Sequence, residues 1–167
     1  MKKNNIILIG MPGAGKSTLG VVLAKAMGFD FVDTDLIIQS EQNEKLYRII
    51  EKKGIEEFIR IENETASSLK AENSVIATGG SVIFGKEAMK NLKNLGTVIY
   101  LQVNVKEIEK RLSNIKTRGI VMKAGETVKK IYDERTPLYK KYADITVNCD
   151  GMDLEKTVEK IISFVGE

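Results

Sequence analysis

The sequence predicts an α/β fold in which helices cover both faces of a parallel sheet. Three observations carry this prediction. Short apolar runs alternate with segments of helical periodicity along most of the chain. A glycine-rich loop joins the first apolar run to the first helical segment, and a pair of aspartates follows the second run. Because parallel strands need long crossover connections, the alternation favours a parallel sheet, whose ligands bind beyond the carboxyl ends of the strands.

The spacing of apolar residues also predicts the individual elements. Apolar, often β-branched runs predict strands at Asn5–Ile9, Phe29–Val32, Ser74–Ala77, Thr97–Leu101 and Ile145–Val147. Helical spacing predicts helices at Lys16–Met27, around Leu46–Ile50 with an end at Gly54, and at Ile55–Leu69, Lys86–Leu95, Val105–Leu112 and Leu154–Phe164. The stretch from about Ser113 to Gly125 lacks periodicity, and it is either a mobile flap or a long loop.

The composition indicates one globular domain that spans residues 1–167. A hydrophobic fraction of 43% and a charged fraction of 29% are ordinary for such a domain. No apolar run approaches the ~18 residues of a membrane span, and the N-terminus lacks the pattern of an export signal. The net charge of +3 comes with lysines scattered among glutamates, as on a solvated surface. We therefore expect a cytoplasmic protein that binds neither membranes nor nucleic acid.

Two absences from the sequence narrow the available chemistry. The chain has no histidine, and Cys149 is its only cysteine. The usual neutral-pH acid/base, the commonest transition-metal ligand and any cysteine cluster are therefore missing. Cys149 itself is most simply a small apolar strand residue. Catalysis must rest on carboxylates, arginine, lysine and bound metal.

The strongest motif is the segment Gly10-Met11-Pro12-Gly13-Ala14-Gly15-Lys16-Ser17, which fits the phosphate-binding pattern G-x-x-x-x-G-K-[ST] between a strand and a helix. Its glycines let backbone N–H groups converge on phosphate oxygens, and the dipole of the following helix favours negative charge there. We expect Lys16 to meet the β- and γ-phosphates and Ser17 to complete a magnesium shell. The alternative is a glycine turn that matches the pattern by accident. The motif predicts a site for Mg²⁺ and a nucleotide, most simply ATP.

Asp33 and Asp35 follow the second predicted strand, at the edge where a ligand is expected. In extended backbone, side chains two residues apart leave the same face, so both carboxylates can address one cavity. One would serve magnesium and the other an acceptor hydroxyl, and Asp35 is the candidate to orient and deprotonate that hydroxyl. The alternative is that Asp33 or Asp35 caps a helix.

Glycines and arginines elsewhere supply further candidates. Gly79-Gly80 ends the third predicted strand, and it either lets the backbone approach a ligand or forms a simple tight turn. Arg111, Arg118 and Arg135 are candidates to surround a transferring phosphoryl group or to pair with a substrate carboxylate. Taken singly, an arginine is more often a surface residue.

The order of these motifs resembles that of the shikimate kinase family, within the P-loop proteins related to nucleoside monophosphate kinases. The resemblance runs from Asn5 to the last predicted helix. It is carried by Gly10–Thr18, Asp33-Thr34-Asp35, Phe58 with Glu62, Gly79-Gly80, Arg118 and Arg135-Thr136-Pro137-Leu138-Tyr139. It implies a three-layer α/β/α P-loop kinase fold with strand order 2-3-1-4-5, a lid at about 113–125, and a monomer.

The resemblance also implies a role for each matching residue. The nucleotide would be bound by Gly13, Ala14, Gly15, Lys16, Ser17, Thr18, Arg111, which lies on the adenine, and Arg118, which closes onto the phosphates. Ser17 and Asp33 would hold magnesium, the latter through water. Asp35, Gly79, Gly80 and Arg135 would bind the acceptor, with Arg135 pairing with a carboxylate. Lys16, Asp35 and Arg118 would be catalytic.

Three departures from the family pattern fall on the acceptor side. The family usually has arginine directly after the phenylalanine, where this chain has Ile59 followed by Arg60. Arg60 lies roughly 100° further around a helix, so it can bind the acceptor only if the helix shifts or its side chain curls back. Ser81 replaces a third glycine, and Arg118-Gly119-Ile120-Val121 replaces Arg-Pro-Leu-Leu in the lid.

Three functions follow as hypotheses. The first is ATP-dependent phosphorylation of the 3-hydroxyl of shikimate, in aromatic amino-acid biosynthesis, with Arg135, Gly80 and Arg60 sharing the substrate carboxylate. The second is a related kinase with another small hydroxylated acceptor, suited by the apolar Ile59. The third is a regulatory module that binds or hydrolyses a nucleotide, which would leave Asp35 and Arg135 without a task.

Overall fold

Five parallel strands form the central sheet, in the order β2-β3-β1-β4-β5. The structure is a computed structural model, and it describes residues 4–113 and 119–166. The strands are β1 (Asn5–Ile9), β2 (Asp30–Asp33), β3 (Ser74–Ala77), β4 (Gly96–Gln102) and β5 (Ile145–Asn148). The predicted parallel sheet and its order are confirmed.

Helices occupy both faces of this sheet, which completes the predicted three layers. They are α1 (Lys16–Met27), α2 (Thr34–Gln42), α3 (Leu46–Lys53), α4 (Ile55–Ser68), α5 (Lys86–Leu95), α6 (Val105–Ser113), α7 (Val128–Tyr142) and α8 (Leu154–Val165). A short 3₁₀ turn at Val82–Phe84 lies between β3 and α5. None of the helices in the described ranges is long and apolar enough to span a membrane.

The central strand β1 shows how the sequence produces two hydrophobic layers. Its side chains alternate between the faces of the sheet, and each face is buried. Ile7 and Ile9 pack in a cluster with residues of α4, α5, α6 and α7. Ile6 and Leu8 pack in another with residues of α1 and α8. Burial on both faces explains why this strand is a continuous apolar run.

A third, smaller cluster joins α2, α3 and α4. It contains Ile38, Ile49, Phe58 and Ile61, and Val121 from the segment before α7 packs into it. The cluster therefore ties the described end of the predicted lid to the helices that follow β2.

Two helices were not predicted from the sequence, and each bears on the site. Helix α2 begins at Thr34, directly after β2, so the expected extended backbone through Asp35 is wrong. Helix α7 carries Arg135 and contains Pro137, which interrupts the helical signal because proline lacks an N–H group. Helix α6 also extends to Ser113, and residues 119–125 form neither helix nor strand. Arg118 lies outside the described residues.

Candidate active site

A single cavity opens where the carboxyl ends of β1, β2 and β3 meet, as expected for a parallel sheet. The phosphate-binding loop, α2, α4, the turn after β3, the segment before α7 and α7 itself all contribute to its wall. Its lining residues are Pro12, Gly13, Gly15, Lys16, Ser17, Thr18, Asp35, Leu46, Phe58, Glu62, Thr78, Gly79, Gly80, Ser81, Gly119, Ile120, Val121 and Arg135. Most of the predicted site residues therefore come together in one place.

The phosphate-binding loop has the backbone that its motif requires. Gly13 and Gly15 have φ angles of 81° and 90°, which residues with a side chain rarely adopt. The Ala14 N–H donates to the Met11 carbonyl at 3.1 Å, which closes the turn. Helix α1 begins at Lys16, and the residues of its first turn, Lys16, Ser17 and Thr18, line the cavity. The loop thus offers positive dipoles to an anion.

Lys16 lies across this loop. Its ammonium group donates to the carbonyls of Gly10 at 2.7 Å and Met11 at 2.8 Å, and the residue is buried. These contacts hold a positive charge within the loop before any phosphate is bound. The geometry suits a cation that neutralises phosphate oxygens.

Ser17 and Asp33 are the two residues that we predicted to hold magnesium. The Ser17 hydroxyl donates to Asp33 Oδ2 at 2.8 Å, while Asp33 Oδ1 accepts the Asp35 N–H at 2.9 Å. Asp33 therefore caps α2 with one oxygen and faces Ser17 with the other, so the two interpretations of this residue coexist. Within the described ranges no group of three or more His, Cys, Asp or Glu side chains can hold a metal. Two oxygen ligands beside a phosphate site fit Mg²⁺, which is usually held by few carboxylates together with phosphates and water.

Asp35 lies in the first turn of α2 and reaches the cavity beside the turn that follows β3. A Cβ atom added to Gly79 would lie 2.9 Å from Asp35 Oδ1 and 2.3 Å from Glu62 Oε2. One added to Gly80 would lie 2.6 Å from Pro12 Cδ. Both glycines are therefore needed for close approach, Gly79 to two carboxyl groups and Gly80 to the phosphate loop.

Arg135 is a buried cation on α7. Its Nη2 donates to the Val121 carbonyl at 2.7 Å, and its guanidinium carbon lies 5.5 Å from the centre of the Phe84 ring. Its other terminal nitrogen, Nη1, is buried and has no hydrogen-bond partner within residues 4–113 and 119–166. Because a buried donor without a partner is costly, this nitrogen is suited to an anionic group of a ligand.

Glu62 and Ser81 were not predicted as site residues, although both line the cavity. The Ser81 hydroxyl donates to Glu62 Oε1 at 2.6 Å, and both residues are buried. In the described part of the chain, Glu62 Oε2 has no hydrogen-bond partner. Burial raises the pKa of the Glu62 carboxyl to about 7, and the nearby Asp35 contributes in the same direction. The sequence signals were the Phe58–Glu62 match and the glycine-to-serine departure, which gave no indication that the two residues meet.

The remaining arginines have different positions. Arg111 donates to the Gly13 carbonyl at 2.9 Å and pairs with Glu107, so it lies against the phosphate loop. The expectation for Arg60 needs correction, because its side chain is exposed, pairs with Glu57 and Glu64, and does not line the cavity. It neither curls back nor is moved by a helix shift.

Comparisons with known proteins place this geometry in a family. The family model for shikimate kinase matches residues 12–166. A shikimate kinase from Thermodesulfovibrio yellowstonii is 37% identical over 161 residues, which cover 95% of this chain and 92% of the relative. A shikimate kinase from Francisella tularensis subsp. holarctica is 34% identical over 171 residues, which cover 100% of this chain and 97% of the relative.

Solved structures agree with the sequence relatives. A shikimate kinase from Acinetobacter baumannii in complex with shikimate has a TM-score of 0.87 and 30% identity, covering 97% of this chain and 92% of that one. The shikimate kinase from Aquifex aeolicus has a TM-score of 0.79 and 30% identity, covering 95% and 94%. The hypothesis of a module that only regulates is thereby set aside. The chain belongs to the shikimate kinase family and is a kinase that uses ATP and Mg²⁺ to phosphorylate a hydroxyl group.

Proposed function

We propose that this protein transfers the γ-phosphoryl group of ATP to the 3-hydroxyl of shikimate, giving 3-phosphoshikimate and ADP. The observation that carries the proposal is Arg135 Nη1, a buried cationic donor without a hydrogen-bond partner among the described residues, in the cavity that also holds the phosphate loop and Asp35. Shikimate has a carboxylate that Arg135 can bind and hydroxyl groups that Asp35 can bind. The relative of known structure from A. baumannii contains shikimate.

The nucleotide side of the proposal rests on contiguous residues. Residues Gly13–Thr18 would surround the phosphates, with Arg111 beside the loop and near the base. Ser17 and Asp33 would hold magnesium, whose charge would stabilise the negative charge of the phosphates. Lys16 already lies in the loop, so it contributes its charge without a large rearrangement.

The acceptor side rests on Asp35 and Arg135. Asp35 accepts a hydrogen bond from the acceptor hydroxyl, orients its oxygen and takes its proton as that oxygen attacks. Arg135 and the backbone at Gly79 and Gly80 hold the acceptor at its other end. Arg118 and the lid would close over the phosphates and exclude water, as the family resemblance implies.

A different small hydroxylated acceptor is a second candidate, and one observation favours it. Arg135 is the sole arginine among the described lining residues, since Arg60 faces solvent and Ile59 packs on the third cluster. A site with one arginine selects less strongly for an acceptor that has a carboxylate than a site with two arginines would. A screen of small polyols and hydroxy acids as acceptors separates the two candidates.

The direct test measures ADP release with Mg²⁺ and ATP, with and without shikimate, and identifies the product by mass spectrometry. We expect release that depends on shikimate and a product heavier by one phosphoryl group. ATP binding without shikimate-dependent turnover would exclude shikimate as acceptor and support the second candidate.

A monomer in the cytoplasm is the simplest setting for this activity. The phosphate loop and the acceptor residues Asp35 and Arg135 lie in the same chain, and the family resemblance implies a monomer. Light scattering coupled to gel filtration is expected to give a mass near that of one 18.6 kDa chain. A stable dimer would contradict this expectation.

A further inference from the structure

Glu62 is a buried carboxyl in the acceptor half of the cavity that the proposed reaction does not use. It is 2% exposed, it lies on α4, and its Oε1 atom accepts a hydrogen bond from Ser81. The other oxygen, Oε2, is buried and has no hydrogen-bond partner among the residues that the structure describes. Buried polar atoms without partners are rare, and a ligand is one way to satisfy them.

The unpartnered oxygen lies on the acceptor side of the site. A Cβ atom on Gly79 would lie within 2.3 Å of Glu62 Oε2 and within 2.9 Å of Asp35 Oδ1, so the two carboxyl groups flank one backbone position. We propose that Glu62 Oε2 binds a second hydroxyl of the acceptor, beside the hydroxyl that Asp35 activates. This inference rests on the proposed function and makes the acceptor a molecule with at least two hydroxyl groups.

The surroundings of Glu62 leave this role open in the present chain. Ile59 packs on the third hydrophobic cluster, and Arg60 pairs with Glu57 and Glu64 at the surface. Neither side chain neutralises Glu62. The Ser81 hydroxyl holds Glu62 in place through its hydrogen bond to Oε1. Ser81 is thus a positioning residue, and Glu62 Oε2 stays directed to the acceptor.

The charge around Glu62 favours a hydroxyl over other ligand groups. Burial raises the pKa of its carboxyl to about 7, with Asp35 adding repulsion and Arg135 and Lys16 opposing the shift. A carboxyl that is neutral in part of the population both donates and accepts hydrogen bonds, as a hydroxyl does. An anionic group of the acceptor at this position would be repelled by Asp35, whereas a hydroxyl group can form hydrogen bonds with both carboxyl groups.

The test compares shikimate with 4-deoxyshikimate and 5-deoxyshikimate as acceptors. For the wild-type enzyme, we expect kcat/KM to fall by about tenfold with one of the two analogues, as for a lost hydrogen bond to a buried group. For Glu62→Ala, we expect this penalty to shrink to about twofold or less. Glu62→Gln keeps a group that pairs with a hydroxyl, so it is expected to retain most of the penalty.

Glu64→Ala is the matched control, because Glu64 lies on the exposed face of the same helix. It is expected to keep the full penalty. Glu62→Met, of similar length and without a strong hydrogen-bonding group, replaces Glu62→Ala if the latter does not fold.

The outcomes distinguish this inference from the proposed function. Two results would overturn the role of Glu62 while the enzyme still turns over shikimate. One is a wild-type kcat/KM that does not fall with either analogue. The other is a fall in kcat/KM that stays unchanged in the folded Glu62→Ala or Glu62→Met variant. Absence of shikimate turnover in the wild type would overturn both.

Discussion

The phosphate loop and the acceptor side of the cavity are built in contrasting ways. The loop is one contiguous segment, and its key side chain, Lys16, already has two carbonyl partners. The acceptor side collects residues from α2, α4, the turn after β3 and α7, and two of its polar atoms, Glu62 Oε2 and Arg135 Nη1, are buried without hydrogen-bond partners among the described residues. The key side chain of the loop thus has partners within its own segment, whereas the acceptor side offers polar atoms that suit a ligand.

This difference indicates how each region selects its ligand. Backbone amides at a helix N-terminus bind any phosphate, so the loop selects a chemical class. Buried, unsatisfied side chains reject ligands that fail to pair with them, so the acceptor side selects one molecule among similar ones. Substitutions in the two regions should therefore affect different kinetic parameters.

The largest effect is expected for Lys16→Ala, in the loop. Loss of its charge should lower kcat by about 10³-fold or more, because fixed electrostatic stabilisation dominates phosphoryl transfer. An ADP-release assay and circular dichroism check activity and folding together. Lys25→Ala, on the exposed side of the same helix, should remain active. A folded Lys16→Ala enzyme with substantial turnover would remove Lys16 from the mechanism.

Asp35→Asn should lower kcat by about 10² to 10⁴-fold, as expected for loss of a general base. Its KM for ATP should change by less than about threefold, since Asp35 contacts the acceptor side. Steady-state kinetics with each substrate varied measures both. Full rate in this variant would show that Asp35 is not the base.

Arg135→Lys should act on the acceptor alone. It keeps a positive charge but loses the planar fork, and we expect kcat/KM for shikimate to fall by about 30-fold, roughly 2 kcal/mol. KM for ATP should stay near the wild-type value. A larger effect on ATP than on shikimate would break the separation between the two regions.

The pH dependence of the free energy of unfolding should reveal the raised pKa of the Glu62 carboxyl. Its raised pKa means that, between pH 4.5 and about 7, the folded state retains a proton that the unfolded state has lost. The free energy of unfolding should therefore decrease as pH rises through this window, by on the order of 2 to 3 kcal/mol from this group, and level off above it. Urea denaturation of the wild type and Glu62→Gln at pH 5 and pH 8 measures the difference. Parallel pH profiles for the two proteins would show that Glu62 is not perturbed.

Arg60→Ala should have the smallest effect. Its ion pairs with Glu57 and Glu64 are exposed, so they contribute little, and KM for shikimate should change by less than about twofold. An increase of tenfold or more would mean that Arg60 moves into the cavity when the acceptor binds.

Much of the fold and of the nucleotide site was predictable from the sequence. The strands β1 and β3 were predicted at their observed bounds, because runs buried on both faces are mostly apolar. The phosphate loop was predictable because its glycines, lysine and serine act through local backbone geometry. Helices α2 and α7 were missed, the first because it follows β2 without a loop and the second because Pro137 interrupts its pattern.

The sequence by itself determined the alternation of strands and helices, the phosphate loop and the aspartates at the end of β2, since each depends on residues close together in the chain. Only the tertiary structure decided which distant side chains meet. It joined Glu62 to Ser81, left Arg135 with an unpartnered nitrogen, and directed Arg60 to solvent. These outcomes depend on how α4, α7 and the turn after β3 pack together, and no periodicity in the sequence encodes a contact between residues so far apart.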